Sequence, residues 1–285
     1  MKDRVTVDKN TEIQVGGIPY YAGNVFARLG AETTVFVTYA SRDDKWFRKN
    51  LTDVTVEHIP VQKTLEFERI YTSDNPDVCR SIEIDYSPNI IHPTDELLSK
   101  LKSFDYIVLS PLFHDNIPLE LFTAIKKNLG KKIVHGNFGM FTYGIGNKFI
   151  QKHPENLMNA AQYIDYLFLD ENEIKFVSQK DTAEEAAKKI QEKGTFMIAA
   201  TNASKGSRIF SKDRIIEIPA YPPKRVADPT GAGDVYMAAF IRSLELFDDF
   251  EKCGQFAAMT ATISLEQRGS FNKSISDVYQ RLGWQ

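Results

Sequence analysis

The chain has 285 residues, 42% apolar and 26% charged, which excludes a disordered or low-complexity polymer and leaves room for one large core or two small ones. Its 35 Lys and Arg against 38 Asp and Glu give a formal charge of −3, too balanced for a protein that binds nucleic acid through its phosphate backbone. No run of about 18 apolar residues occurs, and the opening MKDRVTVDKN is charged where a signal peptide would be apolar, so a cytoplasmic protein without membrane partners is expected.

In chain order, residues 12–15 give a short strand signal. Residues 19–29 carry apolar side chains at helical spacing, between Pro19 at a first helical position and Gly30 just past the end. Residues 33–39, TTVFVTY, predict a buried strand. The stretches 64–72 and 77–85 read as consecutive strands joined by Ser73-Asp74-Asn75-Pro76, with no helix between them. Strands at 106–110, 132–135 and 166–169 then alternate with helices at 119–128 and 155–161. Helices at 182–192 and 232–246 bracket a strand at 196–200 and a hairpin at 207–218 around Lys212-Asp213. The last third ends in helices. Such alternation predicts an α/β fold with a parallel sheet between helices, interrupted by a small antiparallel insertion. Cys79 and Cys253 lie far apart with no CxxC, so both are expected as reduced thiols.

The most informative segment is Asp228-Pro229-Thr230-Gly231-Ala232-Gly233-Asp234, which leads directly into a helical run. Small residues at a helix start leave backbone N–H groups and the helix dipole open to an anion, and a side chain larger than Ala would obstruct the approach. Asp234 falls in the first turn, where a carboxylate can take a proton from an attacking hydroxyl. Gly-Ala-Gly-Asp alone is also an ordinary helix start. The full seven residues resemble the C-terminal signature of the ribokinase-like, or PfkB, carbohydrate kinases.

That resemblance implies a three-layer α/β/α ribokinase-like sandwich with a mainly parallel sheet, one domain over 1–285, and a small β-sheet lid formed by about 12–16 and 63–86. It implies Asp234 as the catalytic base, Gly231, Ala232 and Gly233 as an anion hole, and Thr230 among the nucleotide-binding residues. Gly16-Gly17 and the helix after them resemble the family's N-terminal signature, which closes around the substrate alcohol. Tyr21 stands where that signature usually has Asn, which argues against a plain ribose site. Asp8 aligns with the family's early Asp, whose two carboxylate oxygens suit a diol. Relatives open with a full strand ahead of this segment, so a longer native N-terminus is expected. Asn137 follows a strand where it can reach substrate at the carboxyl end of an open sheet.

Asp170 and Glu173 occupy the family's Asn-x-x-Glu place as Asp-x-x-Glu, implying a water-mediated role toward Mg²⁺. Thr201 and Gly206 match a stretch that runs along the nucleotide. Ala258 and Thr262 border the adenine by the same analogy, and small residues there would serve helix packing equally. The cofactors implied are ATP and Mg²⁺, with a monovalent cation such as K⁺ beside Asp228.

No GxxxxGK[ST] occurs, Gly136 to Gly139 lacks the spacing of a dinucleotide fingerprint, and His58, His92, His114, His135 and His153 form no i,i+4 metal pair. The reading is therefore an ATP-dependent kinase acting on a hydroxyl of a sugar, polyol or sugar acid, closer to a divergent inositol and keto-sugar-acid branch than to ribokinase. A nucleoside kinase is the alternative within the family, and a non-catalytic sugar or nucleotide sensor the alternative from another class. A monomer or a dimer paired through lid strands is expected.

Overall fold

The computed structural model describes residues 1–7, 10–71, 81–85, 89–137, 139–145, 148–212 and 214–284. The chain opens with β1 (Lys2–Val7) and β2 (Asn10–Val15), then α1 (Ile18–Arg28), β3 (Thr34–Ala40), α2 (Asp44–Asn50) and β4 (Thr55–Val61). β5 (Glu66–Tyr71) and β6 (Ser81–Asp85) follow, then α3 (Asp95–Leu101), β7 (Tyr106–Val108), α4 (Leu119–Ala124) and β8 (Lys132–His135). A hairpin of β9 (Thr142–Ile145) and β10 (Lys148–Gln151) precedes α5 (Glu155–Ala160), β11 (Tyr166–Asp170), α6 (Glu171–Ser178), α7 (Ala183–Gln191) and β12 (Met197–Thr201). The chain closes with β13 (Ser207–Ser211), β14 (Arg214–Ile218), α8 (Ala232–Ser243), α9 (Phe250–Leu265) and α10 (Ile275–Leu282).

A six-stranded sheet in the order β14-β13-β12-β11-β8-β7 forms the centre. Its strands β7, β8, β11 and β12 are parallel, and the β13–β14 hairpin closes one side antiparallel. Alternation along each strand feeds two cores. Tyr166 and Phe168 of β11 pack with α8 and α9, whereas Leu167 and Leu169 pack toward α4 to α7 on the opposite face. Because helices cover both faces, β11 is buried almost throughout, as parallel strands require. The three layers expected from the alternation are therefore present.

A separate sheet in the order β2-β1-β5-β6 corresponds to the predicted insertion. It is larger than expected, because residues 2–7 form a complete strand, antiparallel to β2 and parallel to β5. The predicted turn at Ser73 to Pro76, Asp213 of the predicted hairpin turn, and Cys79 lie outside the described residues. Cys253 is a buried free thiol, pushed up to about 11 by burial. No helix among the described residues is long and apolar enough to cross a membrane.

The C-terminal helix is tied down by one ion pair. Glu266, just past α9, accepts two guanidinium hydrogen bonds from Arg281 of α10 at 2.8 Å and the Lys224 N–H at 2.7 Å. These bonds, led by Arg281, hold the Glu266 carboxyl down at about 2 from an ordinary 4.5. A depressed carboxylate pKa means that this stabilisation is complete above about pH 4.5 and drains away as pH falls toward 2. Glu266→Gln is expected to lower Tm by a few degrees at pH 7, on the basis of about 1–2 kcal/mol for a partly exposed charged pair. Thermal melts from pH 7 to pH 3 should show the gap between variant and parent closing; a gap that widens on acidification would contradict the assignment.

Candidate active site

The start of α8 is built to leave backbone exposed. Gly231 caps the helix at φ 78°, a left-handed conformation that residues with a Cβ adopt at a cost. Asp228 Oδ1 accepts the Thr230 N–H at 2.9 Å, and the Ala227 and Asp228 N–H groups both reach the Leu265 carbonyl at the end of α9. The approach loop is thus fixed on both sides. A Cβ added at Gly233 would meet nothing within 4 Å, so the first turn faces open space. Asp234 sits in that turn, and Val235 is the first residue to bond back to Gly231, at 2.9 Å.

A second helix start meets this one. α1 opens at Gly17, with φ 89° and Pro19 in its first turn, and packs along α8. Tyr21, only 2% exposed, lays its ring against Gly231, so that any Cβ there would fall within the ring's contact distance. The aromatic at this position therefore packs directly against the loop that opens α8. Asp8 lies outside the described residues. The carboxylate that the structure does bring to Gly16 is Asp3: it is fully buried in β1, and a Cβ on Gly16 would come within 3.0 Å of the Asp3 Cβ. Sequence reasoning missed Asp3 because only the β1–β2 register, with Lys2 opposite Val15, shows which acidic residue lies beside Gly16.

Three more candidates, Asn137, Asp170 and Thr201, stand at or just past the carboxyl ends of parallel strands, where open α/β sheets hold ligands. Asn137 lies two residues past β8; its Oδ1 accepts the Gly139 N–H at 3.0 Å, and its carbonyl is 2.9 Å from His135 Nε2. Gly136 before it packs closely on Met237, one turn along α8 from Asp234. Asp170 ends β11 directly opposite Thr201, which ends β12. Asp170 and Glu173 form a reciprocal cap on α6: Asp170 Oδ1 accepts the Glu173 N–H at 2.8 Å and Glu173 Oε2 accepts the Asp170 N–H at 2.9 Å. Burial, with Asp170 adding repulsion, pushes the Glu173 carboxyl up to about 7.

Gly206, at φ 94°, turns the chain so tightly that a Cβ would strike the Ile218 carbonyl. Thr262 is buried and its hydroxyl donates to the Tyr221 carbonyl at 3.0 Å, anchoring the loop ahead of α8 to α9. Ala258, half-buried, is on the same helix.

Among the described residues no group of three His, Cys, Asp or Glu side chains is placed to cage a metal. With one oxygen each committed to the α6 cap, Asp170 and Glu173 have one carboxylate oxygen apiece left over. That donor set fits a hard divalent cation that keeps most of its waters and does not fit a direct carboxylate cage.

Residues 15–277 match a family model described as pfkB family carbohydrate kinase. Over 140 residues, 48% of the chain, the sequence is 34% identical to a nucleoside kinase of Methanocaldococcus jannaschii; the match spans 44% of that protein, less than half its length. The sulfate complex of a pyrophosphate-dependent kinase in the ribokinase family has a TM-score of 0.81 at 21% identity, covering 97% of this chain and 96% of that one. Arabidopsis thaliana ribokinase complexed with ribose and ATP has a TM-score of 0.80 at 20% identity, covering 100% and 96%. At such identities the structural likeness establishes the fold, a ribokinase-like α/β sandwich.

The contact between Tyr21 and Gly231 is directly testable. Gly231→Ala adds left-handed strain and overpacking, together about 2–4 kcal/mol, and should lower Tm by roughly 5–15 °C. Adding Tyr21→Ala should relieve the overpacking, so the double variant loses at least about 1 kcal/mol less than the sum of the single losses. Strict additivity in denaturant melts would show that the ring does not press on this glycine.

Proposed function

This chain belongs to the pfkB family of carbohydrate kinases, and from that premise we propose that it transfers the γ-phosphate of ATP to a hydroxyl of a small sugar-like alcohol. The observation that carries the reading is the meeting of two helix starts, Gly231 to Asp234 on α8 and Gly16-Gly17 on α1, beside the buried Asp3. Asp234 draws the proton from the attacking hydroxyl. The backbone N–H groups at the start of α8, aided by the helix dipole, receive the charge of the transferring phosphate. Phosphoryl transfer has a loose transition state, so positioning and charge stabilisation supply most of the acceleration.

Asp3 takes the role that sequence analysis gave Asp8, accepting two substrate hydroxyls with its two oxygens. Asn137 approaches the same alcohol from the end of β8. Thr201, Gly206, Thr230, Ala258 and Thr262 line the nucleotide side, with Thr262 acting through the Tyr221 loop. Asp170 and Glu173 hold Mg²⁺ through its waters; the ion neutralises phosphate charge when bound. Asp228, with Oδ1 engaged by Thr230, has Oδ2 available to a monovalent cation such as K⁺.

The sheet β2-β1-β5-β6 serves as the lid, and its closure excludes water and suppresses ATP hydrolysis. Its outer strands β2 and β6 present edges through which two copies can pair. The reaction is placed in the cytoplasm, with its Mg-ATP. The acceptor is a sugar, polyol or sugar acid. A nucleoside acceptor is the second reading, favoured by the 34% identity to a nucleoside kinase.

Asp234→Asn is expected to leave Tm and ATP binding unchanged while lowering turnover by on the order of 10²–10⁴. ADP release from Mg-ATP, followed across myo-inositol, ribose, fructose, keto-gluconates, adenosine and cytidine, identifies the acceptor class. Turnover of the variant within a few-fold of the parent would remove Asp234 from the role of base. ATP binding with no ADP release on any acceptor would favour a sensor.

A further inference from the structure

The ladder between β7 and β8 ends at one identifiable bond. Their parallel register pairs Val108 with Val134, and the Leu109 N–H still donates to the Val134 carbonyl at 2.9 Å. In a regular parallel ladder the Leu109 carbonyl would next accept the Gly136 N–H. Gly136 instead donates to Ser110 Oγ at 3.1 Å, and the Leu109 carbonyl lies 2.6 Å from Nδ1 of His135. The departure comes where Gly136 packs on α8, so closely that an added Cβ would strike the Met237 sulfur. A side chain thus stands in for the backbone donor that β8 withdraws.

His135 is fully buried, and both ring nitrogens face carbonyl oxygens, Nδ1 that of Leu109 and Nε2 that of Asn137 at 2.9 Å. A neutral imidazole has one N–H and one lone pair, and a carbonyl only accepts, so the neutral ring can bond one of the two. Burial pushes the ring's pKa down to about 4; among the described residues no charged side chain contributes to that value, and the ring's aromatic neighbour is Phe122. Two facing lone pairs could not sustain the 2.6 Å contact, so the proton is on Nδ1. Nε2 then abuts the Asn137 carbonyl without bonding it.

The loop beyond is held by contacts of its own. Asn137 Oδ1 accepts the Gly139 N–H at 3.0 Å, which orients the amide and leaves Nδ2 as the end for a ligand. Gly139 lies so close to the Pro111 carbonyl that no Cβ fits between them. Where Asn137 stands therefore depends on the ring that meets its carbonyl.

We propose that His135 is a positioning residue for the acceptor: as the Nδ1–H tautomer it takes over the Leu109 carbonyl where the ladder ends and sets the distance at which Asn137 Nδ2 meets the substrate hydroxyl. It touches no reacting atom. The role rests on the kinase reading through Asn137; the tautomer does not.

Two measurements on the full chain test it. Two-bond ¹H–¹⁵N spectra of histidine-labelled protein, taken from pH 5 to pH 8 without nucleotide or alcohol, should show His135 with a protonated Nδ1, an unprotonated Nε2 and no titration; its signal is the one missing from His135→Asn. A proton on Nε2, or on both nitrogens, would overturn the proposal whether or not the chain is a kinase. With the acceptor identified by ADP release, His135→Leu should raise the acceptor KM by at least about 10-fold and leave the ATP KM within about twofold of the parent. Asn carries an amide N–H where imidazole has Nδ1, so His135→Asn should recover most of that loss. His135→Gln, whose amide reaches the Nε2 position, should not. Equal rises in both KM values, a lower Tm with the acceptor KM unchanged, or rescue by Gln and not by Asn would overturn the role. A parent without turnover on any acceptor would defeat the kinase reading and the acceptor role with it, while the spectra would still decide the tautomer.

Discussion

The contact of the Tyr21 ring with the Cα of Gly231 is the constraint on which the site depends, because it fixes where two helices begin relative to each other. A left-handed residue without a Cβ lets α8 start within contact distance of α1, and the buried ring fills the space that would otherwise separate them. The consequences run outward from that point. The first turn of α8 is open at Gly233, Asp234 sits within it, and Gly16-Gly17 lies four to five residues back from Tyr21 on the adjoining helix start. Met237, one turn further along α8, packs on Gly136 and so sets the distance to the Asn137 loop.

Around this fixed point the polar groups have distinct tasks. Several of the candidate carboxylates and hydroxyls hold backbone in place: Asp228 on Thr230, Asp170 and Glu173 on each other's amides, Thr262 on Tyr221. Such bonds hold loops rigid, and under the proposed function they preorganise backbone N–H groups for an anion, which contributes most where charge develops and water is excluded. His135 belongs to the same framework, fully buried with Nδ1 2.6 Å from the Leu109 carbonyl and Nε2 2.9 Å from that of Asn137. Burial holds this ring down at about 4, consistent with a cross-strand strut between the end of β7 and the Asn137 loop.

Much of this was legible in the amino-acid sequence. The strand at 132–135 has the expected bounds, and the helix expected over 182–192 spans 183–191, because apolar periodicity is a local property. The seven residues from Asp228 to Asp234 marked a helix start for the same reason, and α8 begins at Ala232. What could not be read depended on long-range register. Only the pairing of residues 2–7 with β2 and β5 shows that Asp3 stands beside Gly16. The β9–β10 hairpin and β4 were not foreseen, since their short runs mix polar and apolar residues without a strict period. Tyr21 was noticed as a departure, but a ring that fills space against a glycine 210 positions away has no local signature.

The central claim is that backbone at the start of α8 receives the transferring phosphate. The most direct measurement is a ¹⁵N-resolved titration of the amides of residues 231–235 with a non-hydrolysable ATP analogue and Mg²⁺, repeated with AMP. The account predicts that the Gly233 and Asp234 amides move among the largest shifts in the protein with the triphosphate and stay near their free positions with AMP. Shifts centred on the start of α6, with residues 231–235 unmoved, would place the phosphates elsewhere and contradict it.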